Sequence, residues 1–202
     1  MQSFQNETFA DVVFDDDGFS TATFKACRFH NCSFRGLRLN EIETERCQFS
    51  HCDFQAATLN ASIHQTSAFL NCNFYVANLF MVSFRECKMT GSRFDQANMS
   101  SVTIDGGDWS YTSLRLQMLK KINLQHVNLH YADLYACNLE GANLRHANLS
   151  MATLTKTKLK GADLRDARTD GVNFRDIDLH GVKLDMTQAL AVARSYGAIV
   201  DI

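Results

Sequence analysis

Large apolar side chains recur at every fifth residue along most of this chain. The series runs from Phe4 to Leu184 in one register, and only Thr44, His64 and Thr169 interrupt its apolar character. A helix repeats its apolar positions near 3.6 residues and a flat strand near 2, so neither can bury one residue in five over such a length. The pattern therefore predicts a chain that turns at a fixed short interval and stacks on itself.

A second inward position lies two residues before each large apolar residue and holds a small side chain, usually alanine or cysteine. The residue between the two is polar, as at Asn138, Asn143 and Asn148, and this alternation predicts a very short extended segment. The remaining two residues form a corner, where glycines such as Gly141 suit a tight turn. The chain contains no proline, which fits stacked coils that must each donate backbone N–H groups.

The run ADLYACNLEGANLRHANLSMATL, residues 132–154, resembles the A(D/N)LXX consensus of pentapeptide-repeat proteins. The resemblance covers nearly the whole chain and implies an all-β solenoid, a right-handed quadrilateral β-helix with four pentapeptides in each coil. About nine coils at a strand spacing near 4.8 Å give a rod roughly 43 Å long. Two columns of stacked side chains follow from this arrangement, the first aromatic and the second alternating in charge: Phe14, Phe34, Phe54, Phe74 and Phe94, then Lys120, Glu140 and Lys160.

Cysteine and histidine suggest metal or disulfide chemistry by number, but their places in the repeat argue otherwise. All seven cysteines occupy the small inward position, so we interpret them as buried free thiols that act as small hydrophobes. His126 and His146 face outward and can stack on adjacent coils, yet two imidazoles without a placed carboxylate or cysteine make a poor metal site. His64 lies at a core position above Thr44, and we interpret it as a local bulge in which nearby isoleucines supply the apolar side chains.

No catalytic motif stands out in the sequence. A Gly-rich phosphate loop, a serine elbow and a paired catalytic histidine motif are all missing. We therefore expect no enzyme, no catalytic residue, no cofactor and no metal site.

Residues 106–121 keep the register but change its chemistry. The small inward position becomes Thr112 and then Gln117, and Trp109 is the only tryptophan. Two interpretations stay open: a functional break between a Phe-rich and a Leu-rich stack, with a short distorted face or helical turn, or a degenerate repeat with no special role. We interpret Trp109 as a plug of the core rather than a partner anchor.

The period ends after Leu184, so we expect a β-helix over residues 1–184 and a separate C-terminal unit over 185–202. Thr187 can cap a helix from Gln188 to about Tyr196, Gly197 can end it, and AIVDI is typical of a short apolar strand. Such a unit covers the open end of a solenoid. Its apolar surface exceeds what a cap needs and predicts a two-fold homodimer through Leu190, Val192, Tyr196, Ile199, Val200 and Ile202.

The chain resembles the proteins that protect bacterial DNA gyrase and topoisomerase IV from poisons, namely Qnr, MfpA and especially the albicidin-resistance type AlbG. The resemblance lies in the repeat coverage, in the length and in the ending YGAIV. This resemblance implies a dimeric, DNA-mimicking rod that acts as a resistance or immunity protein, binds gyrase and does not itself bind nucleic acid. Qnr proteins carry projecting loops, whereas the unbroken register here favours a loop-free relative. The alternative is a structural or scaffold repeat protein with another protein partner.

A DNA mimic should be acidic where it meets a basic channel, but the formal net charge is only −2. The acidic candidates for partner contacts are Asp15, Asp16, Glu41, Glu43 and Glu45. A basic C-terminal half leaves room for contact with acidic protein surfaces through Lys156, Lys158, Lys160, Arg165 and Arg168. The N-terminus lacks the features of a signal peptide, and no stretch reaches the length of a membrane span, so we expect a cytoplasmic protein without membrane contact.

Overall fold

In the computed structural model, which describes residues 2–15, 17–175 and 177–200, the chain is a parallel β-solenoid. Each segment pairs with the segment twenty residues later, as Phe4 does with Phe24 and Phe9 with Phe29. Because four pentapeptides fill this interval, each coil has four short sides and four corners. The five-residue pattern therefore predicted the fold class correctly.

The extended segments are only three residues long, as the alternation in the sequence predicted. They are β1 Ser3–Gln5, β2 Thr8–Ala10, β3 Thr23–Lys25, β4 Arg28–His30, β5 Glu43–Glu45, β6 Gln48–Ser50, β7 Ile63–Gln65, β8 Ala68–Leu70, β9 Ser83–Arg85 and β10 Thr103–Asp105, with a 3₁₀ turn at Asp17–Phe19 and a helix α1 at Met186–Ser195. The strands form two parallel sheets, ordered β1-β3-β5-β7-β9-β10 and β2-β4-β6-β8. Single bridges with the same spacing continue the ladders to Asp163 and Lys183.

The core consists of stacked columns of side chains. The predicted aromatic column is present, with the Phe54 ring stacked 4.8 Å from Phe34 and 4.9 Å from Phe74. Trp109 is fully buried against Phe94, in agreement with a core plug. These columns leave no large void between coils, and dense packing of this kind is the main source of stability in a solenoid.

The small inward positions also hydrogen-bond the coils together. Ser92 Oγ donates to the Phe69 carbonyl oxygen of the preceding coil at 2.8 Å, and the thiol of Cys52 reaches the Phe29 carbonyl at 3.5 Å. All seven cysteines are free and buried, as predicted. Burial raises the pKa of Cys47 and of Cys87 to about 11, so these thiols stay protonated and unreactive at neutral pH.

The second residue of nearly every corner adopts the left-handed backbone conformation, and most of these residues are not glycine. Val76 has φ 51° and Leu116 has φ 61°, a conformation that costs L-residues roughly 1–2 kcal/mol. Ladder bonds offset this cost, since Leu116 N–H donates to the Tyr135 carbonyl of the next coil at 2.9 Å. At Gly91 a Cβ would also meet the end of the Asn71 side chain, which would have to turn away, so both the backbone conformation and the space favour glycine there.

His64 does not form the predicted bulge. Its imidazole is fully buried and pairs in register with Thr44, while Ile63 points outward and is 38% exposed. The ring nitrogens lie 2.9 Å from the hydroxyl oxygens of Thr44 and Ser62. The interpretation as a bulge was wrong because neighbouring hydroxyl groups form hydrogen bonds with both ring nitrogens inside the core. A buried imidazole with both hydrogen bonds made does not need to turn outward to water.

Among the described residues the ladder opens on two adjacent sides near the middle of the rod, and we call this opening the seam. Bridges are also missing close to the last coil, between Thr153 and Asn173 and between Lys158 and Asp178. At the seam, no bridge joins Asn98 to Met118 or Thr103 to Asn123, although the same columns are bridged on both sides of that level. The other two sides stay paired there through Asp108–Asn128 and Ser113–Asp133. The register is therefore kept through residues 106–121, without a helical turn, and the departure is a wedge between two coils.

Three of the larger inward side chains, Val102, Gln117 and Ile122, lie together around the seam. Residues of similar size, such as Ile42 and Val82, occupy the same kind of position in coils that stay paired, so it is the grouping of three that distinguishes this level. On a side that stays paired, Gly107 has φ 90°, and a Cβ there would collide with the Cys87 carbonyl oxygen.

The helix begins two residues earlier than predicted, at Met186, and its N-cap is Asp185 rather than Thr187. Asp185 accepts hydrogen bonds from the backbone N–H groups of Thr187 and Gln188, and the Gln188 side chain accepts from Asp185 N–H at 2.9 Å. This capping box satisfies more of the first-turn donors than a threonine cap does. Residues 198–200 form no strand, because no segment pairs with them in the described part of the chain.

The helix closes part of the last coil. Gln188 is buried and its side-chain amide donates to the Ala167 carbonyl at 2.8 Å, which occupies a ladder position left without a following coil. Gly197 follows the helix with φ 87°, as expected for a left-handed ending. No helix in the described residues is long and apolar enough to cross a membrane.

Candidate functional site

The C-terminal end presents the predicted dimer residues in unequal ways. Leu190, Val192 and Val200 are half-buried, and Val192 packs against the core. Ile199 is 94% exposed, and the exposed Tyr196 donates its hydroxyl to the Arg175 carbonyl at 2.9 Å. Ile202 lies outside the described residues. Of the predicted residues that the structure describes, Ile199 and Tyr196 are therefore the exposed ones, and Met186 at the start of α1 adds a third exposed apolar side chain at this end.

A groove of about 810 Å³ runs between α1 and the last coil. Arg168, Arg175 and Arg194 line it together with Asp166 and Asp170. Arg175 Nε donates to the Ser195 carbonyl at 2.7 Å and so ties the end of the helix to the coil. The helix thus leaves part of the last coil open, with charged walls of both signs.

The predicted acidic contacts do not form one cluster. Glu41 and Glu43 are exposed on the third coil, whereas Asp15 is exposed on a different corner of the first coil. Glu45 is paired with Lys25 at 3.4 Å and with Arg46 at 2.8 Å, and these cations lower the pKa of its carboxyl group. Asp16 lies outside the described residues. Glu41 and Glu43 are therefore the acidic pair that stays free of cations here.

One side of the rod carries exposed apolar side chains on both edges of the seam. We call this side, residues 76–81, 96–101, 116–121, 136–141 and 156–161, the lysine face. Leu116 and Met118 are 66% and 68% exposed. Val76, Phe80 and Met81 are exposed two coils earlier. A cleft of about 190 Å³ opens between these groups, lined by residues 96–100 and 116–118.

The C-terminal part of the lysine face is strongly basic, with five lysines and one glutamate on its last three coils. All five lysines are exposed, and they are Lys120, Lys121, Lys156, Lys158 and Lys160. Glu140 lies 3.0 Å from Lys120, and its pKa is lowered mainly by Lys120, with smaller contributions from Lys158 and Lys160. The predicted alternation of charge in this column is present, and a large excess of positive charge remains.

Sequence reasoning named four of these lysines, Lys120, Lys156, Lys158 and Lys160, but did not place the apolar side chains on the same face. The sequence does contain the information needed. Val76 lies forty residues before Leu116, and Met81 lies forty residues before Lys121, so the two members of each pair share a corner column. Corner residues face solvent in this fold, so an apolar residue there is exposed whatever its type.

The outward histidines do stack, but they do not gather ligands. The rings of His126 and His146 are parallel at 4.8 Å, and His146 Nε2 lies 3.7 Å from Asp166. Asp166 is also bound by Arg145 at 2.8 Å. In the residues that the structure describes, no group of three or more His, Cys, Asp or Glu side chains is placed to hold a metal ion.

The whole rod is similar to solved structures. The full-length structure of QnrB1, a plasmid-mediated fluoroquinolone resistance protein, has a TM-score of 0.88 at 23% identity, over 97% of this chain and 100% of that one. A trypsin-treated QnrB1 variant gives a TM-score of 0.86 at 24% identity, over 98% and 100%. HetL from the cyanobacterium Nostoc, a pentapeptide repeat protein involved in heterocyst differentiation regulation, gives 0.52 at 22% identity, over 90% and 88%.

Sequence comparison adds a local match. Residues 122–161 and 157–189, about a third of the chain, match the family model of pentapeptide repeats. No curated protein sequence matches the chain. The family model, the five-residue columns and the four-sided coils agree: residues 122–189 match pentapeptide repeats, and the chain folds as a parallel β-solenoid of such repeats.

Proposed function

We propose that this protein binds a bacterial type II topoisomerase, DNA gyrase or topoisomerase IV, and protects it from a poison such as a quinolone or albicidin. The observation that carries the proposal is the correspondence with QnrB1 along the full length of both chains. A rod that matches a fluoroquinolone resistance protein from end to end presents the same shape and dimensions to a partner. A DNA mimic binds through such a match of shape. A cytoplasmic location, beside the enzyme, belongs to this proposal.

Charge gives this rod a limited resemblance to DNA. Glu41 and Glu43 are exposed and unpaired with cations, so we assign them to the contact with the basic DNA-handling surface of the enzyme. Asp15 extends the acidic surface toward the N-terminal end. Glu45 contributes less, because Lys25 and Arg46 already neutralise it.

The proposal includes a two-fold homodimer through the C-terminal end. Ile199 and Tyr196 supply its exposed apolar centre, and the groove beside α1 gives room for the same elements of a second copy. Isologous pairing of this kind buries one patch against itself and closes the assembly. Doubling the strand-spacing estimate gives a rod of roughly 90 Å.

A supercoiling assay with purified gyrase tests the function. We expect the protein to restore supercoiling in the presence of ciprofloxacin or albicidin, or to inhibit the enzyme when no poison is present. Glu41→Gln/Glu43→Gln should weaken this effect, and Glu86→Gln, an exposed glutamate at another corner two coils later, is the control. If the protein has no effect on either the poisoned or the free enzyme, the topoisomerase proposal is wrong.

The lysine face favours the alternative, a scaffold protein with a different protein partner. Its charge is opposite to that of DNA, so DNA mimicry does not explain it. The two functions separate in the same assay, because a scaffold protein leaves supercoiling unchanged.

A further inference from the structure

We infer that the lysine face is a docking site for an extended protein segment with apolar side chains at one end and carboxylates at the other. This inference goes beyond the proposed function and does not rest on it. It starts from the order of chemistry along the face, which changes from apolar at residues 76–81 to basic at residues 156–161.

The apolar part of the face is larger than chance exposure requires. Leu116 and Met118 lie on one edge of the seam, and Phe80 and Met81 lie beyond the other edge, all between 41% and 68% exposed. The polar coil of residues 96–101 lies between them, so the apolar part of the face consists of two groups. Exposed apolar side chains bordered by polar groups are typical of a protein interaction site. The cleft of about 190 Å³ between them is large enough for an apolar side chain.

Charge identifies the occupant as acidic. The last three coils of the face hold five lysines against one glutamate, and Glu140 is already held by Lys120 at 3.0 Å. Lys158 and Lys160 form no salt bridge among the described residues, although Asp178 of the next coil lines the same cleft as these two lysines. Lysines that are exposed, close together and unpaired repel each other, and carboxylates of a partner relieve that repulsion.

The seam favours an extended segment over a folded domain. One coil before the seam, the Leu79 N–H donates to the Asn98 carbonyl at 2.8 Å. The Met99 N–H, at the corresponding position on the seam, has no acceptor in the described chain. A segment that runs along the rod crosses the strands instead of joining their ladder, and it can accept a hydrogen bond from this unpaired N–H where it crosses the seam. From residues 76–81 to 156–161 the face spans four coil spacings, about 19 Å, which is the length of about six extended residues.

A fluorescence anisotropy titration with a labelled peptide of three leucines followed by four glutamates tests the inference. We expect binding that weakens about tenfold, or by roughly 1.4 kcal/mol, in Leu116→Gln/Met118→Gln and in Lys158→Glu/Lys160→Glu. Binding should also weaken between about 0.05 and about 0.5 M salt. A peptide in which lysines replace the glutamates should not bind.

Two matched double variants on other sides serve as controls. Tyr111→Gln/Met151→Gln removes equally exposed apolar side chains, and Lys88→Glu/Lys183→Glu makes the same change of charge. Both should bind the peptide as the unmodified chain does. Circular dichroism and thermal melting establish that all four variants keep the fold, which is expected because each substituted side chain is exposed.

Three results overturn the inference. They are no binding of the acidic peptide at about 1 mM, equal binding by the lysine peptide, and unchanged binding in both variants of the face. Sedimentation with phosphatidylserine vesicles examines the competing occupant. If the vesicles bind the chain through the same lysines and the peptide does not bind, the face recognises anionic lipid and the peptide proposal is wrong.

Discussion

His64 Nδ1 lies 2.9 Å from the hydroxyl oxygen of Thr44 in the preceding coil, inside an otherwise apolar column. The Thr44 hydroxyl donates to Ser67 Oγ at 3.1 Å, and Ser67 donates in turn to the Gln65 carbonyl at 3.0 Å. Thr44 must therefore accept from His64, which assigns the proton of the neutral imidazole to Nδ1. Nε2 then accepts from the Ser62 hydroxyl at 2.9 Å.

This network predicts loss of stability in mild acid. Burial lowers the pKa of His64 to about 3 from its ordinary 6.5, so below pH 6.5 the unfolded chain binds a proton that the folded chain does not. The free energy of unfolding should fall as the pH drops through this window, by about 2 kcal/mol between pH 7 and pH 5. Urea unfolding followed by circular dichroism measures the difference.

Two variants isolate the contribution of His64. His64→Gln keeps a donor and an acceptor but does not titrate, so its stability should change about 2 kcal/mol less over the same pH range. The exposed His51→Gln is the control and should retain the full pH dependence. An equal pH response in His64→Gln would show that another group is responsible.

Truncation of the aromatic column should cost more in the middle than at its end. Phe54 is 1% exposed and stacks on rings both above and below, so Phe54→Ala should lower the free energy of unfolding by about 3–5 kcal/mol. Phe14 is half-buried in the first coil, so Phe14→Ala should cost less than half of that. Urea unfolding compares the two, and similar losses would contradict the importance of stacking from both sides.

Hydrogen exchange should detect the seam directly. The amides of Met99 and Ser101 have no acceptor in the described chain, whereas those of Leu79 and Met81, one coil earlier in the same columns, bond to carbonyls at 2.8 and 3.1 Å. Met99 and Ser101 should therefore exchange at least about tenfold faster. NMR measures these amides individually. Equal protection at both levels would mean that the two coils are hydrogen-bonded in solution.

The proposed dimer depends most on Ile199. This side chain is 94% exposed, and Ile199→Asp would place a carboxylate at the centre of the proposed interface, so the variant should be monomeric in light scattering. Tyr196→Asp should act in the same direction. Met81→Asp, at an exposed corner in the N-terminal half of the rod, is the control and should leave the mass unchanged. Unchanged mass in Ile199→Asp would argue against this interface.

The five-residue period was enough to predict the solenoid, because it assigns each residue to an inward, outward or corner position. Phe54, Trp109 and the seven cysteines were all placed correctly on this basis alone. His64 was misjudged because its hydroxyl partners, Thr44 and Ser62, lie in two successive coils. Only the stacking of the coils brings them to the same imidazole. The helix start was misplaced because the period itself ends one residue before Asp185.

The candidate surfaces were harder to predict. Acidic residues such as Asp15 and Glu43 are recognisable in the sequence, but whether they share a corner depends on the four-sided coil. The pairing of Glu45 with Lys25 joins adjacent coils. The seam was not predictable from single positions, since Val102, Gln117 and Ile122 are grouped at its level while residues of similar size, such as Ile42 and Val82, lie in coils that stay paired.

At the left-handed corners, the identity of the exposed side chain is independent of the backbone conformation. Along one corner of the lysine face the chain carries Met81, Ser101 and Lys121 with φ of 61°, 59° and 60°. An apolar, a polar and a basic side chain are thus carried by the same backbone conformation. Selection can rewrite a binding surface on such a rod one corner at a time, and neither the path of the chain nor the register of the neighbouring coils has to change with it.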